Sequence, residues 1–129
     1  MRCNELYEAA MAHIGENPYA VGSEKYESRA PYLLCAICYE LSNLDSEYRQ
    51  AKGEDAATPW QGLSLPMSHD FPLSARFSSA AAFSLASSLI ASENADLSKE
   101  LYIRYNQSVN DIVAELPATT TSTQNVYPE

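Results

Sequence analysis

The stretch Pro72 to Leu116 limits the fold more than any other part of this chain, because it has the pattern of a helical hairpin. Phe77 to Ser92 carries no charge and is built from Ala, Ser, Phe, Leu and Ile. Leu73, Phe77, Ala81, Leu85 and Leu89 recur every four residues, which aligns them on one helix face. The rest of the segment is mostly Ala and Ser, so neighbouring backbones can approach on more than one side. A helix without a charged face is buried over most of its circumference, and in a chain this short some of that cover is expected from outside. Asp96 is the expected N-cap of the second arm. Leu97, Leu101, Tyr105, Val109, Ile112 and Leu116 then form a helical stripe until Pro117 stops it. A turn of Glu93, Asn94 and Ala95 makes the two arms antiparallel neighbours.

Upstream, Asn4 is the expected cap of a helix over 5–14, with Leu6, Ala10 and Ile14 inward and Gly15 just past its end. The segment ENPYAVG is a loop. Ser23 opens a second helix over 24–44, with Tyr26, Ala30, Leu33, Leu34, Ile37 and Leu41 at spacings of three and four. Pro31 either kinks this helix or marks its true first turn with Ser28 as cap; a single kinked helix is the reading adopted. Residues 48–70 are irregular but contain Trp60, Leu63, Leu65 and Met67, too apolar for a free linker. This long loop is expected to fold back on the helices, with a short extended piece at 63–65. The fold class expected is all-α: a small bundle of about four helices, a long irregular loop and an extended C-terminal tail. Residues 1–117 form the helical domain, and 118–129, ATTTSTQNVYPE, form a tail that is flexible or ordered by a partner.

With 129 residues the chain is a single domain. Its formal net charge of −9 argues against a nucleic-acid grip, which needs a basic patch. The opening MRCNELYEAAMAH is polar, unlike a secretory leader. The uncharged run is shorter than the roughly 20 apolar residues of a membrane span, so no membrane contact is expected.

Cys35 and Cys38 have the spacing of a redox or zinc half-site, but they sit in mid-helix among Leu34, Ala36 and Ile37. No second pair exists to complete a zinc site. With Cys3, they read as core thiols in a reducing compartment. His13 and His69 are the only histidines, and no nucleophile elbow, phosphate loop or dinucleotide fingerprint accompanies them. No catalytic residue, metal site or cofactor is therefore expected. Tyrosine is abundant, with nine residues, and suits surfaces buried in assemblies. The candidate partner-binding residues are Tyr102, Arg76 and Arg104, the arginines pairing with acids of a neighbouring subunit. Thr119, Thr120, Thr121, Val126 and Tyr127 join them, since this β-favouring run can add a strand to a partner.

The segment LSLPMSHDFPLSARFSSAAAFSLASSLIASENADLSKELYIRYNQSVNDI resembles the C-terminal half of head–tail connector (adaptor) proteins of tailed bacteriophages. That family shows a Leu-Pro, acidic, Pro-Leu entry, an Ala-rich helix, a short acidic turn and a Tyr-containing helix. The matching pieces are Leu65-Pro66, Asp70 to Leu73, Ala80 to Leu89, Glu93 to Asp96, and Leu101 to Ile112. The likeness extends over residues 4 to 115, with departures at Pro31 and in the loop through Trp60. It implies a small helical bundle that assembles as a homo-oligomeric ring beneath the portal protein. Such a ring contacts tail-side connector proteins and prolongs the channel through which DNA passes without sequence-specific binding. The protein would be a non-enzymatic part of the virion, assembled in the host cytoplasm. The alternative is a small cytoplasmic helical protein-interaction or regulatory module.

Overall fold

A computed structural model describes residues 1–117. Helix α1 spans Cys3–His13, α2 is the single turn Glu24–Glu27, and α3 spans Ala30–Ala51. A 3-10 turn at Ala75–Phe77 leads into α4, Ser78–Ile90, and α5 spans Ala95–Glu115. Among the described residues the only β pairing is an isolated antiparallel bridge between Arg2 and Asp70. The architecture is the expected small all-α bundle, with four long helices.

The bundle is built around α4. Nine of its thirteen residues are buried, and α1, α3 and α5 pack around it, α5 most extensively. The stripe Leu73, Phe77, Ala81, Leu85 and Leu89 is buried throughout. Small side chains bring α5 close: the Ser87 and Ser98 hydroxyls each donate to the other's backbone carbonyl at 2.8 Å. The cover for the uncharged helix thus comes largely from inside the chain, and the Ala/Ser faces are not left open for a neighbour.

Several element ends differ from the sequence reading. Helix α1 starts at Cys3, before Asn4, because the loop supplies its cap. Cys3 N–H donates to His69 O and Asn4 N–H to Met67 O, both at 2.9 Å, which satisfies amides that a helix start leaves unpaired. The Glu5 carboxylate accepts from the Arg2 amide. At the other end Gly15, at φ 74°, sits just past the helix as expected, and Glu16 N–H closes back to Met11 O.

The second helix is broken rather than kinked. Residues 28–29 separate α2 from α3, and Pro31 lies in the first turn of α3, where its missing N–H costs no helix bond. Arg29, not Ser28, occupies the N-cap position. Helix α3 also runs on to Ala51, since Leu44 and Tyr48 continue its core stripe and Tyr48 meets Phe77 edge-on at 5.8 Å.

Residues 71–74 form an irregular, bent segment instead of starting a helix at Leu73. Phe71 N–H donates to Met1 O, and Ser74 N–H to the buried Asp45 carboxylate. The cap of α5 is Asn94, whose Oδ1 accepts from Leu97 N–H at 3.0 Å, with Asp96 placed in the first turn. Pro117 follows the end of α5 as the sequence predicts.

The loop after α3 folds back on the bundle. Leu65 is fully buried, and its amide donates to Pro31 O rather than forming a strand. Trp60 Nε1 donates to Ser64 O, and the Trp60 ring meets His69 edge-on.

Candidate functional site

The three thiols are free and buried. Burial, and then the neighbouring Cys38, pushes the Cys3 thiol up to about 11. Burial, and then Cys35, does the same to Cys38, to about 11, and burial also raises Cys35. Thiols held protonated are poor nucleophiles and poor ligands. Among the described residues no three His, Cys, Asp or Glu side chains gather where they could hold a metal.

The histidines lie in different places. His13 stacks on Phe83 with ring centroids 4.6 Å apart. Burial, and then the Arg104 guanidinium, lowers its pKa below the ordinary 6.5. His69 belongs to the loop, where its carbonyl takes the Cys3 amide. A cavity of about 160 Å³ lies between α3 and the loop, lined by Cys38, Ser42, Asp45, Trp60 and Leu73 among others. Its one carboxylate, Asp45, ties the chain together: Oδ2 takes Arg49 Nε at 2.8 Å and Oδ1 takes the Ser74 amide at 2.9 Å.

Ionic contacts cluster at joints of the bundle. Arg49 also donates to Pro72 O, so α3 grips the chain entering α4. Arg29 donates to the Ser88 and Leu89 carbonyls near the end of α4. Lys25 and the Tyr26 hydroxyl both reach Glu93, so α2 holds the α4–α5 turn.

Of the residues expected at partner contacts, Arg76, Arg104 and Tyr102 are among the described residues. Arg76 is engaged inside the chain, its guanidinium lying bidentate on Glu115 of α5. The folding of α5 beside the 3-10 turn gives Arg76 this partner within its own chain. Arg104 is exposed on α5, 3.5 Å from Glu100. It borders a shallow groove of about 400 Å³ with Phe83, Gln107, Ser108 and Asp111. Tyr102 is half exposed and leans on Tyr105. Thr119, Thr120, Thr121, Val126 and Tyr127 lie outside the described residues.

The sequence reading missed the Asp45–Arg49 grip. The four-residue spacing of an acid and a base was visible, but that spacing ordinarily marks a solvated pair. Comparison with protein-family models, curated proteins and solved structures returns no match.

Proposed function

We propose that this chain is a structural head–tail connector of a phage or prophage particle, assembling as a ring below the portal and prolonging the DNA channel toward the tail. The observation that carries the reading is the segment from Leu63 to Ile112. Its Leu-Pro entry, Ala-rich helix, acidic turn and Tyr-bearing helix resemble that family, and the hairpin is the centre of a small all-α bundle. A net charge of −9 suits a lumen that repels DNA and keeps it mobile. Subunit contacts in this reading use the two flanks of α5, Tyr102 on one and Arg104 on the other, and the segment 118–129, with Thr119 to Thr121, Val126 and Tyr127, which meets the portal or a neighbouring subunit. The protein is then a non-enzymatic component of the virion.

A second reading has one observation in its favour. The Ala/Ser faces of α4 and the Arg76 side chain are used within the chain, which leaves fewer features for a ring. A small cytoplasmic helical module that binds a single protein partner needs no such ring surface.

Light scattering with and without the cognate portal separates the two. A connector joins the portal ring, whether it is monomeric or already a ring when alone. Deleting residues 118–129 leaves the melting temperature nearly unchanged and abolishes that joining. A monomer that never joins the portal sinks the connector reading and leaves the single-partner module.

A further inference from the structure

The cavity between α3 and the loop has a buried floor and an open rim. Cys38, Asp45 and Leu73 line it at 3%, 1% and 8% exposure, while Asn43, Thr58 and Pro59, also in its lining, are exposed. A small molecule can therefore enter at the rim while the bundle stays closed. The volume is about 160 Å³, and an engineered protein cavity of about 150 Å³ takes up benzene. The space suits a ligand of about six to nine non-hydrogen atoms.

The lining has two chemistries. Pro59, Trp60, Pro72 and Leu73, from the loop and the segment entering α4, are apolar. The one polar atom of the Trp60 indole is spent on Ser64 O. Ser42, Asp45 and Ser46 lie three and four residues apart, on one face of α3, and supply acceptors. The Ser42 hydroxyl donates to Tyr39 O at 3.0 Å and keeps its lone pairs. A carboxylate has about four acceptor sites; Arg49 Nε and the Ser74 amide use one on each oxygen of Asp45. Asp45 is also the only charged residue in the lining, because its partner Arg49 is not part of it.

We propose that this cavity binds a small organic ammonium ion, the protonated form of an alkyl- or arylalkylamine. Its nitrogen lies at Asp45, Ser42 and Ser46, and its hydrocarbon lies against Trp60 and Leu73. An ammonium has three N–H donors and no acceptor, which matches a lining of acceptors with a single negative charge. An indole ring adds attraction for a cation, and the apolar residues gain by exchanging water for hydrocarbon. An anion would meet the Asp45 carboxylate with no lining cation to offset it. A metal ion would lack ligands, since among the described residues no three His, Cys, Asp or Glu side chains gather to hold one. This assignment goes beyond the connector reading and does not rest on it.

The test titrates the full chain with benzylamine, protonated at neutral pH, and with benzyl alcohol, its uncharged counterpart of similar shape, while NMR follows the amide shifts. Benzylamine gives saturable shifts centred on residues 38–46, 57–60 and 72–73, with a dissociation constant of about 1 mM or lower. Benzyl alcohol binds about tenfold more weakly or worse, and Asp45→Asn weakens benzylamine by a similar factor. Because Asp45 also holds the fold together, a second variant is needed. Ser46→Leu fills the space from a half-buried position on α3, keeps the helical circular dichroism spectrum and loses binding. Ser108→Ala, in the groove beside α5, binds as the parent does. No saturable shift up to about 10 mM overturns the proposal and leaves water as the occupant. Equal binding of benzyl alcohol, unchanged binding by folded Ser46→Leu, or shifts centred elsewhere overturn it too. A chain that joins a portal yet leaves benzylamine unbound refutes this site alone.

Discussion

Asp45 is 1% exposed, and each of its oxygens has a donor, Arg49 Nε on one and the Ser74 amide on the other. Removing the carboxylate leaves the Arg49 Nε–H and the Ser74 N–H without their acceptor. Asp45→Ala is expected to lower unfolding free energy by about 3 kcal/mol, as for other broken buried pairs. Asp45→Asn, which keeps one acceptor oxygen for Ser74, should lose less. Urea denaturation measures both, and a loss below ~0.5 kcal/mol for Asp45→Ala would place the pair among solvated ones. Leu85 is the opposite kind of residue, fully buried and purely apolar on the α4 stripe. Leu85→Ala should cost about 2–5 kcal/mol through lost transfer energy and the cavity left behind. Leu85 was identifiable from spacing alone. The burial of Asp45 was not, because its cover comes from residues 72–74, far away in sequence.

Helix α5 depends on its start and on one neighbour. Its packing is directed mainly at α4, and only Leu101, Tyr105 and Ile112 are fully buried along its length. Burial, and then Glu40 of α3, pushes the Tyr105 hydroxyl up to about 12. With so few buried anchors the cap carries weight. Asn94→Ala should cost about 1 kcal/mol, and the exchange of amides in the first turn of α5 should speed up first. Unchanged exchange there would show that the Asn94 bond is not what begins the helix. The sequence pointed to Asp96, an equally good capping type two residues further on. The choice belongs to the path of the turn: Glu93 is held by Lys25 and Tyr26, so α5 starts two residues earlier than its charge pattern suggests.

Across the whole molecule, the joints between elements titrate together. Hydrogen bonds from Tyr26 and then Lys25 hold the Glu93 carboxyl below the ordinary 4.5, and the Arg76 hydrogen bond does the same for Glu115. A carboxylate with a depressed folded pKa takes up its proton in the unfolded chain first. Its stabilisation is therefore complete above the unfolded value and is lost as pH falls through the folded one. His13 works in the same direction at higher pH. Its lowered folded pKa means that the unfolded chain is protonated first as pH drops through 6.5. The melting temperature is expected to decline gently from about pH 6.5 and more steeply below about 4.5. Glu93→Gln/Glu115→Gln should flatten the lower step and His13→Gln the upper one. A melting temperature independent of pH between 7 and 3.5 would contradict all three assignments.

Local patterns determined a good deal. The four-residue spacing from Leu73 to Leu89 marks one buried face, Gly15 ends α1 and Pro117 ends α5, because periodicity, a positive φ and a missing N–H act within a few residues of themselves. Tertiary structure decided what depends on distant partners. The arginine at position 76 has no partner marked in its own stretch of sequence, and it meets Glu115, 39 residues away, once α5 has folded back. Pro31 suited both a kink and a helix start, and the choice fell to the start where Arg29 reaches the carbonyls of α4. The Ala and Ser of α4 show no preferred face in the sequence. Which neighbours cover them is set by how α1, α3 and α5 pack, since burial is a property of the assembled surfaces and not of the residue types.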